Sequence, residues 1–164
     1  MSPTQLDYEK LKQQVQKQLG KHKHGVLATA EGDFVTARQI MFICDGLTMT
    51  FITTNTTRKY KQIVVNPKVA VAIGNMQIEG VASIKGRTSD SDNAWFLKIF
   101  EEMEPDIYEG HRDECLNPET PWRVIEIAPK RIALFVSPDN YLDVLDVDEK
   151  TATRYLGREL VAPY

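Results

Sequence analysis

Residues 51–63 read FITTNTTRKYKQI, and they set hydroxyls beside paired cations. Thr53, Thr54, Thr56 and Thr57 lead into Arg58 and Lys59, and an apolar patch resumes at Ile63. Such a set suits a phosphate monoester. Arg offers a planar fork of donors, Lys a compact charge, and Thr hydroxyls complete the ring of contacts. A helix beginning near Thr57 would add free backbone N–H groups and the positive end of its dipole. The same residues have a plainer use, because Thr is a good strand former and Arg58 and Lys59 would sit comfortably on a solvated helix face.

Arg38 is the second candidate. It stands in mid-strand on the face shared by Phe34, Ile40 and Phe42, where a charge demands a partner. A bound anion would serve, as would Glu79, and an exposed or salt-bridged barrel arginine is the simpler reading. His22 and His24 flank a lysine and His111 precedes Cys115, but neither spacing brings further ligands at metal-site intervals, so no metal is expected. The sequence contains no GxSxG, Walker or GxGxxG signature, which removes support for hydrolase, P-loop and dinucleotide-fold readings. No side chain declares itself as acid, base or nucleophile, so the catalytic residues are unknown at this level.

The elements that must position these groups follow from periodicity. With 164 residues, 42% hydrophobic and 26% charged, the chain has the size and composition of one globular domain. A net charge of -3 argues against nucleic acid or an anionic membrane as partner. Two cysteines, Cys44 and Cys115, form no disulfide framework, and the polar N-terminus reads as neither leader nor membrane span, so a cytoplasmic protein is expected.

Residues 1–20 read as an amphipathic helix capped by Ser2 with Pro3 at its first position, its stripe running through Tyr8, Leu11, Val15 and Leu19 to a stop at Gly20. From Gly25 the period changes to two. GVLATA, DFVTARQIMFIC and LTMTFIT read as three antiparallel strands joined by turns at Glu31–Asp33 and Asp45-Gly46. TRKYKQIVV reads as a short helix capped by Thr56 or Thr57, burying Tyr60, Ile63 and Val64 and stopped by Asn66-Pro67. KVAVAIG and QIEGVASIKGRT make the next hairpin. A third helix follows, with a stripe of Trp95, Phe96, Ile99, Phe100 and Met103 ended by Pro105, and then a loop over 106–121. WRVIEIAP and KRIALFV pair as strands, and YLDVLDV in the tail offers a weak one. The sum is a single α+β, mainly β, domain: six to seven antiparallel strands curling into a small barrel, with about three peripheral helices.

Strung together, these passages resemble the pyridoxamine 5'-phosphate oxidase-like, FMN-binding split-barrel family. The resemblance covers residues 25–136, with 137–164 as an extension. It rests on LATAEGDFVTARQIMF, FITTNTTRKYKQIVVNPKVAVAIG, MQIEGVASI and WRVIEIAPKRIALF, the last like the family's closing hairpin. The second carries the most weight, through its order of strand, Ser/Thr-Arg-Lys, short helix, Asn-Pro and strand.

The resemblance implies a homodimeric split β-barrel with FMN held between subunits. Arg38 then falls on a flavin-contacting strand arginine, Thr53 on a strand-end threonine, and Arg58 and Lys59 on the phosphate-binding pair. Ile52, Thr54 and Thr57 would line the same edge, Asn75 would stand for a flavin-contacting glutamine, and Phe135 for an aromatic near the ring. Two departures count against the vitamin-phosphate oxidase itself. Ile43 occupies the place of a lysine, and VSPDNYLDVLDV after Phe135 has no Arg-x-His motif. The resemblance therefore implies an FMN-dependent oxidoreductase of unassigned substrate, drawing on a nicotinamide donor. The alternative is a carrier or sensor without turnover, and deazaflavin or haem are the alternative cofactors.

Overall fold

The computed structural model describes residues 3–136 and 140–156. Its elements run β1 (Thr4–Gln5), α1 (Tyr8–Leu19), β2 (His24–Glu31), β3 (Phe34–Met41), β4 (Ile43–Asp45), β5 (Thr48–Thr54), α2 (Arg58–Val65), β6 (Lys68–Ile73), β7 (Met76–Arg87), a 3-10 turn (Ser91–Asn93), α3 (Ala94–Met103), α4 (Pro105–Leu116), β8 (Trp122–Val136), β9 (Tyr141–Asp146) and β10 (Thr151–Leu156). All ten described strands join one antiparallel sheet in the order β1-β10-β9-β8-β7-β6-β2-β3, with β5 branching from β8 and β4 pairing with β5. The expected class holds, as a split barrel whose sheet curls around a core without hydrogen-bonded closure among the described residues.

β8 is the spine. Its first half pairs with β5, from Trp122↔Thr54 to Ile127↔Met49, and its second half pairs on the same edge with β9, from Arg131 to Val136. β7 runs along the opposite edge. The sequence suggested two strands broken at Pro129-Lys130, but the chain runs straight through. A missing N–H is harmless where one edge changes partner and the other carries a register shift at Glu79/Gly80. Gly80 fits there for a steric reason: a Cβ would stand 2.8 Å from the Ala128 carbonyl oxygen.

Several expectations change on the same physical grounds. Asp7, not Ser2 with Pro3, starts α1 by accepting from the Lys10 N–H at 2.9 Å. Thr4 and Gln5 instead pair with β10, and Ser2 lies outside the described residues. DFVTARQIMFIC is two strands, because Phe42 leaves the ladder for the core and donates its N–H to the Lys23 carbonyl at 2.9 Å. β5 consequently swings to β8 and does not lie beside β3. The expected loop 106–121 holds α4, where Pro105 opens a helix instead of only ending one. Trp95 and Val64 are exposed, while Leu97 and Gln62 are buried in their places. The tail adds two strands, not one weak one, and residues 137–139 and 157–164 lie outside the described residues.

The main core packs α1 against the inner sheet face, around Leu27, Phe51, Ile78, Ile125 and Ile132. A second cluster holds α3 and α4 through Phe96, Leu97, Phe100, Tyr108 and Cys115, with Ile43 and Ile52 of the sheet packed against it. Together they clamp β5 on both faces, and β5 delivers the chain into α2.

Candidate functional site

The loop between β5 and α2 is rigid for reasons visible in its hydroxyls. Thr57 caps α2, its Oγ1 accepting from the Tyr60 N–H at 3.4 Å and donating to the Thr54 carbonyl at 2.9 Å. That donation uses the only hydroxyl proton of Thr57, so in the 2.9 Å contact with Thr53 it is Thr53 that donates. Thr54 and Thr56 pair with each other at 3.0 Å, and the Asn55 N–H is tied to the Pro121 carbonyl at 2.9 Å. These contacts hold the turn in shape, with one hydroxyl proton of the Thr54–Thr56 pair left over, and the turn sets Arg58 and Lys59 at the start of α2.

What the turn presents is charge. Arg58 and Lys59 occupy the first two helical positions of α2, where backbone N–H groups have no intrahelical acceptor. Arg38 of β3 lies close enough to join them. Burial first, and then the Arg58 charge, hold its guanidinium below the usual arginine range. Burial first, and then the Arg38 charge, do the same to the Lys59 ammonium. Three cations thus repel one another, and among the described residues no carboxylate forms a salt bridge with any of them. Glu79, the counter-charge considered for Arg38, accepts from Gln77 instead. The Arg58 guanidinium lies 5.7 Å from the ring centre of Phe34, an exposed aromatic on the β2–β3 hairpin.

Arg38 is held by neutral groups. It donates to the Leu27 carbonyl at 3.2 Å, to the Thr29 hydroxyl at 2.7 Å and to the Thr36 hydroxyl. Both hydroxyls donate in turn to Gln62 of α2. Sequence reasoning passed over Thr29, Thr36 and Gln62. A polar residue beside Ile63 on the buried side of a short helix was the available signal.

The nine residues singled out in the sequence are not all brought together. Arg38, Thr53, Thr54, Thr57, Arg58 and Lys59 gather at the start of α2. Ile52 sits just before it, with its side chain packed toward α3 and α4. Asn75 and Phe135 hold each other elsewhere: the Phe135 N–H donates to the Asn75 carbonyl at 3.0 Å, and the Asn75 amide donates to the Phe135 carbonyl at 2.5 Å. Phe135 stands near the far end of the 15-residue β8 from Trp122, the partner of Thr54.

An apolar groove of about 480 Å³ opens beside Ala28, Ala30, Val35, Ala70 and Val81, rimmed by Asn66, Lys68, Glu79 and Lys130. Among the described residues no group of three or more His, Cys, Asp or Glu could hold a metal ion, and no helix is long and apolar enough to cross a membrane.

Comparison with known proteins places this geometry in context. The family model described as pyridoxamine 5'-phosphate oxidase matches residues 11–135. General stress protein 26 of Bacillus subtilis (strain 168) is 29% identical over 103 residues, spanning 57% of this chain and 74% of that protein. A Listeria innocua crystal structure, described as that of a candidate pyridoxamine 5'-phosphate oxidase, superposes with a TM-score of 0.61 at 28% identity over 76% of this chain and 97% of its own. HutZ, the haem storage protein of Vibrio cholerae, superposes with a TM-score of 0.59 at 14% identity over 74% of this chain and 92% of its own. That last likeness shows the fold alone.

Proposed function

The chain belongs to the pyridoxamine 5'-phosphate oxidase family, and from that premise we propose that it binds FMN and works as an FMN-dependent oxidoreductase. The observation that carries the reading is the uncompensated cluster of Arg38, Arg58 and Lys59 at the capped start of α2. Mutually repelling cations lose stability unless an anion joins them, and the three terminal oxygens of a phosphate monoester suit two arginine forks and one ammonium. The residues present therefore fit the phosphate end of FMN. When bound, the flavin supplies the hydride chemistry. The chain's own groups bind and orient: Arg58 and Lys59 take the phosphate with the free N–H groups of α2, and Arg38 sets a fixed positive charge beside them.

We place the complete site between two copies of the chain. Asn75 and Phe135 stand away from the cation cluster within one copy, and a partner's pair would reach it. The apolar outer face around Val26 and Val35, both exposed, is the surface suited to that second copy.

The second reading is a carrier that holds a flavin or haem without turnover. It is favoured by the fold shared with a haem storage protein and by the lack of a salt-bridged carboxylate at the three cations among the described residues. A haem's propionates would use the same cations.

Purified protein titrated with FMN, and separately with haem, decides among these. We expect FMN uptake with flavin absorbance that NADH or NADPH bleaches and an added electron acceptor restores. Flavin uptake that neither nicotinamide reduces supports the carrier. A Soret band with no flavin uptake supports haem. A protein that takes up neither overturns the cofactor reading. Sedimentation of the loaded protein as a monomer would overturn the shared site.

A further inference from the structure

Gln62 lies on the inner side of α2, 1% exposed, and its side chain joins the helix to β2 and β3. Its Oε1 accepts from the Thr29 hydroxyl at 2.6 Å and the Thr36 hydroxyl at 2.7 Å. Its Nε2 donates to the Phe34 carbonyl at 3.4 Å. That carbonyl only accepts, so it fixes which end of the amide is which. Each threonine has one hydroxyl proton, and each spends it on Gln62. The lone pairs left over face Arg38, and they accept from its two terminal nitrogens.

The arrangement does two things for Arg38. It supplies directed acceptors, so the planar fork holds one orientation. It does so with neutral groups, so the positive charge stays whole. A carboxylate in the place of Gln62 would accept both hydroxyl protons equally well but would neutralise the guanidinium it orients. α2 thereby carries two cations on its first turn and sets the direction of the third from its inner side.

We propose that Gln62 is a positioning residue for the anion site: acting through Thr29 and Thr36, it orients Arg38 toward a bound phosphate and keeps that arginine free of any counter-charge. The inference rests on the phosphate reading of the cluster. It makes the site's preference for phosphorylated over unphosphorylated ligand depend on a buried neutral amide that touches no ligand.

The test compares FMN with riboflavin, which shares the ring and lacks the phosphate. Both are titrated by flavin fluorescence into the wild type, Gln62→Glu and Thr36→Val, with thermal melts alongside. We expect the ratio of FMN to riboflavin affinity to fall about tenfold or more in Gln62→Glu, the scale of one charge-assisted contact, and about threefold in Thr36→Val. A merely structural role would lower the melting temperature and weaken both ligands together, leaving the ratio intact. An unchanged ratio in folded Gln62→Glu overturns the inference. If that variant does not fold, an unchanged ratio in Thr36→Val overturns it. A wild type that binds FMN no better than riboflavin overturns the phosphate reading itself, and the role of Gln62 falls with it.

Discussion

Two arginines at opposite ends of the sheet are treated in opposite ways. Arg154 of β10 meets Asp143 of β9 through paired bonds of 2.6 and 2.7 Å, and its guanidinium lies 4.7 Å from the Tyr141 ring centre. Asp143 is 1% exposed, so its charge is matched where water is excluded. Arg38 is also partly buried, yet it meets only hydroxyls and a carbonyl, with Arg58 and Lys59 adding to its charge. The first arrangement completes itself and serves the fold. The second has no carboxylate partner among the described residues. On our proposal a phosphate takes that place, so the contrast sets a structural ion pair against a proposed binding site within one sheet.

The largest effect should come from removing the site's charge. Arg58→Ala with Lys59→Ala deletes two charge-assisted contacts, each about 1.5–3 kcal/mol. The exposure of Arg58 sets the expectation at the lower end, about 100-fold weaker FMN binding. The melting temperature of the free protein should hold or rise, because repulsion has been removed. Unchanged FMN affinity would show that the phosphate binds elsewhere.

The matching change at the other end should reverse both readouts. Asp143→Ala removes the carboxylate that takes the paired bonds from Arg154, and breaking a buried pair costs about 3–5 kcal/mol. Arg154 keeps 36% of its side chain exposed, so partial hydration brings the expected loss to about 2–3 kcal/mol in urea denaturation. The FMN-to-riboflavin ratio should not move. A variant as stable as the wild type would show that the pair contributes no net stability, and the contrast between the two arginines would lose its structural half.

Much of this molecule was legible in its residues, and the exceptions share a cause. The β5–α2 passage could be read because its signals are local: strand period, threonine cap, cation pair and Asn-Pro stop all lie within one short segment. Pro129 misled because its effect depends on what flanks it across the sheet, and a strand changing partners there loses nothing to a missing N–H. Pro105 misled because proline stops one helix and opens another with the same ring geometry. In the proposed site, the cation pair Arg58 and Lys59 stood out in the sequence, whereas Gln62 did not, because a buried amide matters only through Thr29 and Thr36 on strands distant in sequence. The remote position of Asn75 and Phe135 is a tertiary fact of the same kind.

The smallest effect is a pH dependence that belongs to the uncompensated cluster alone. Burial, then the Arg38 charge, hold the Lys59 ammonium below the usual lysine range. The folded protein therefore releases this proton at lower pH than the unfolded chain. At neutral pH the group disfavours folding, and that penalty fades as pH rises through the folded value toward the unfolded one. A bound phosphate reverses the preference, since a dianion favours the ammonium, so binding at alkaline pH takes up a proton. FMN affinity should thus fall as pH rises through the free protein's Lys59 value, beginning below the range of an ordinary lysine near pKa ~10.4. The full drop should be about tenfold, one charge-assisted contact on a partly exposed group. Expressing each point as the ratio of FMN to riboflavin affinity cancels the titration of the flavin ring itself. Lys59→Gln should bind FMN more weakly at neutral pH and show no alkaline limb. A limb that survives in Lys59→Gln would assign the titration to another group and detach Lys59 from the phosphate.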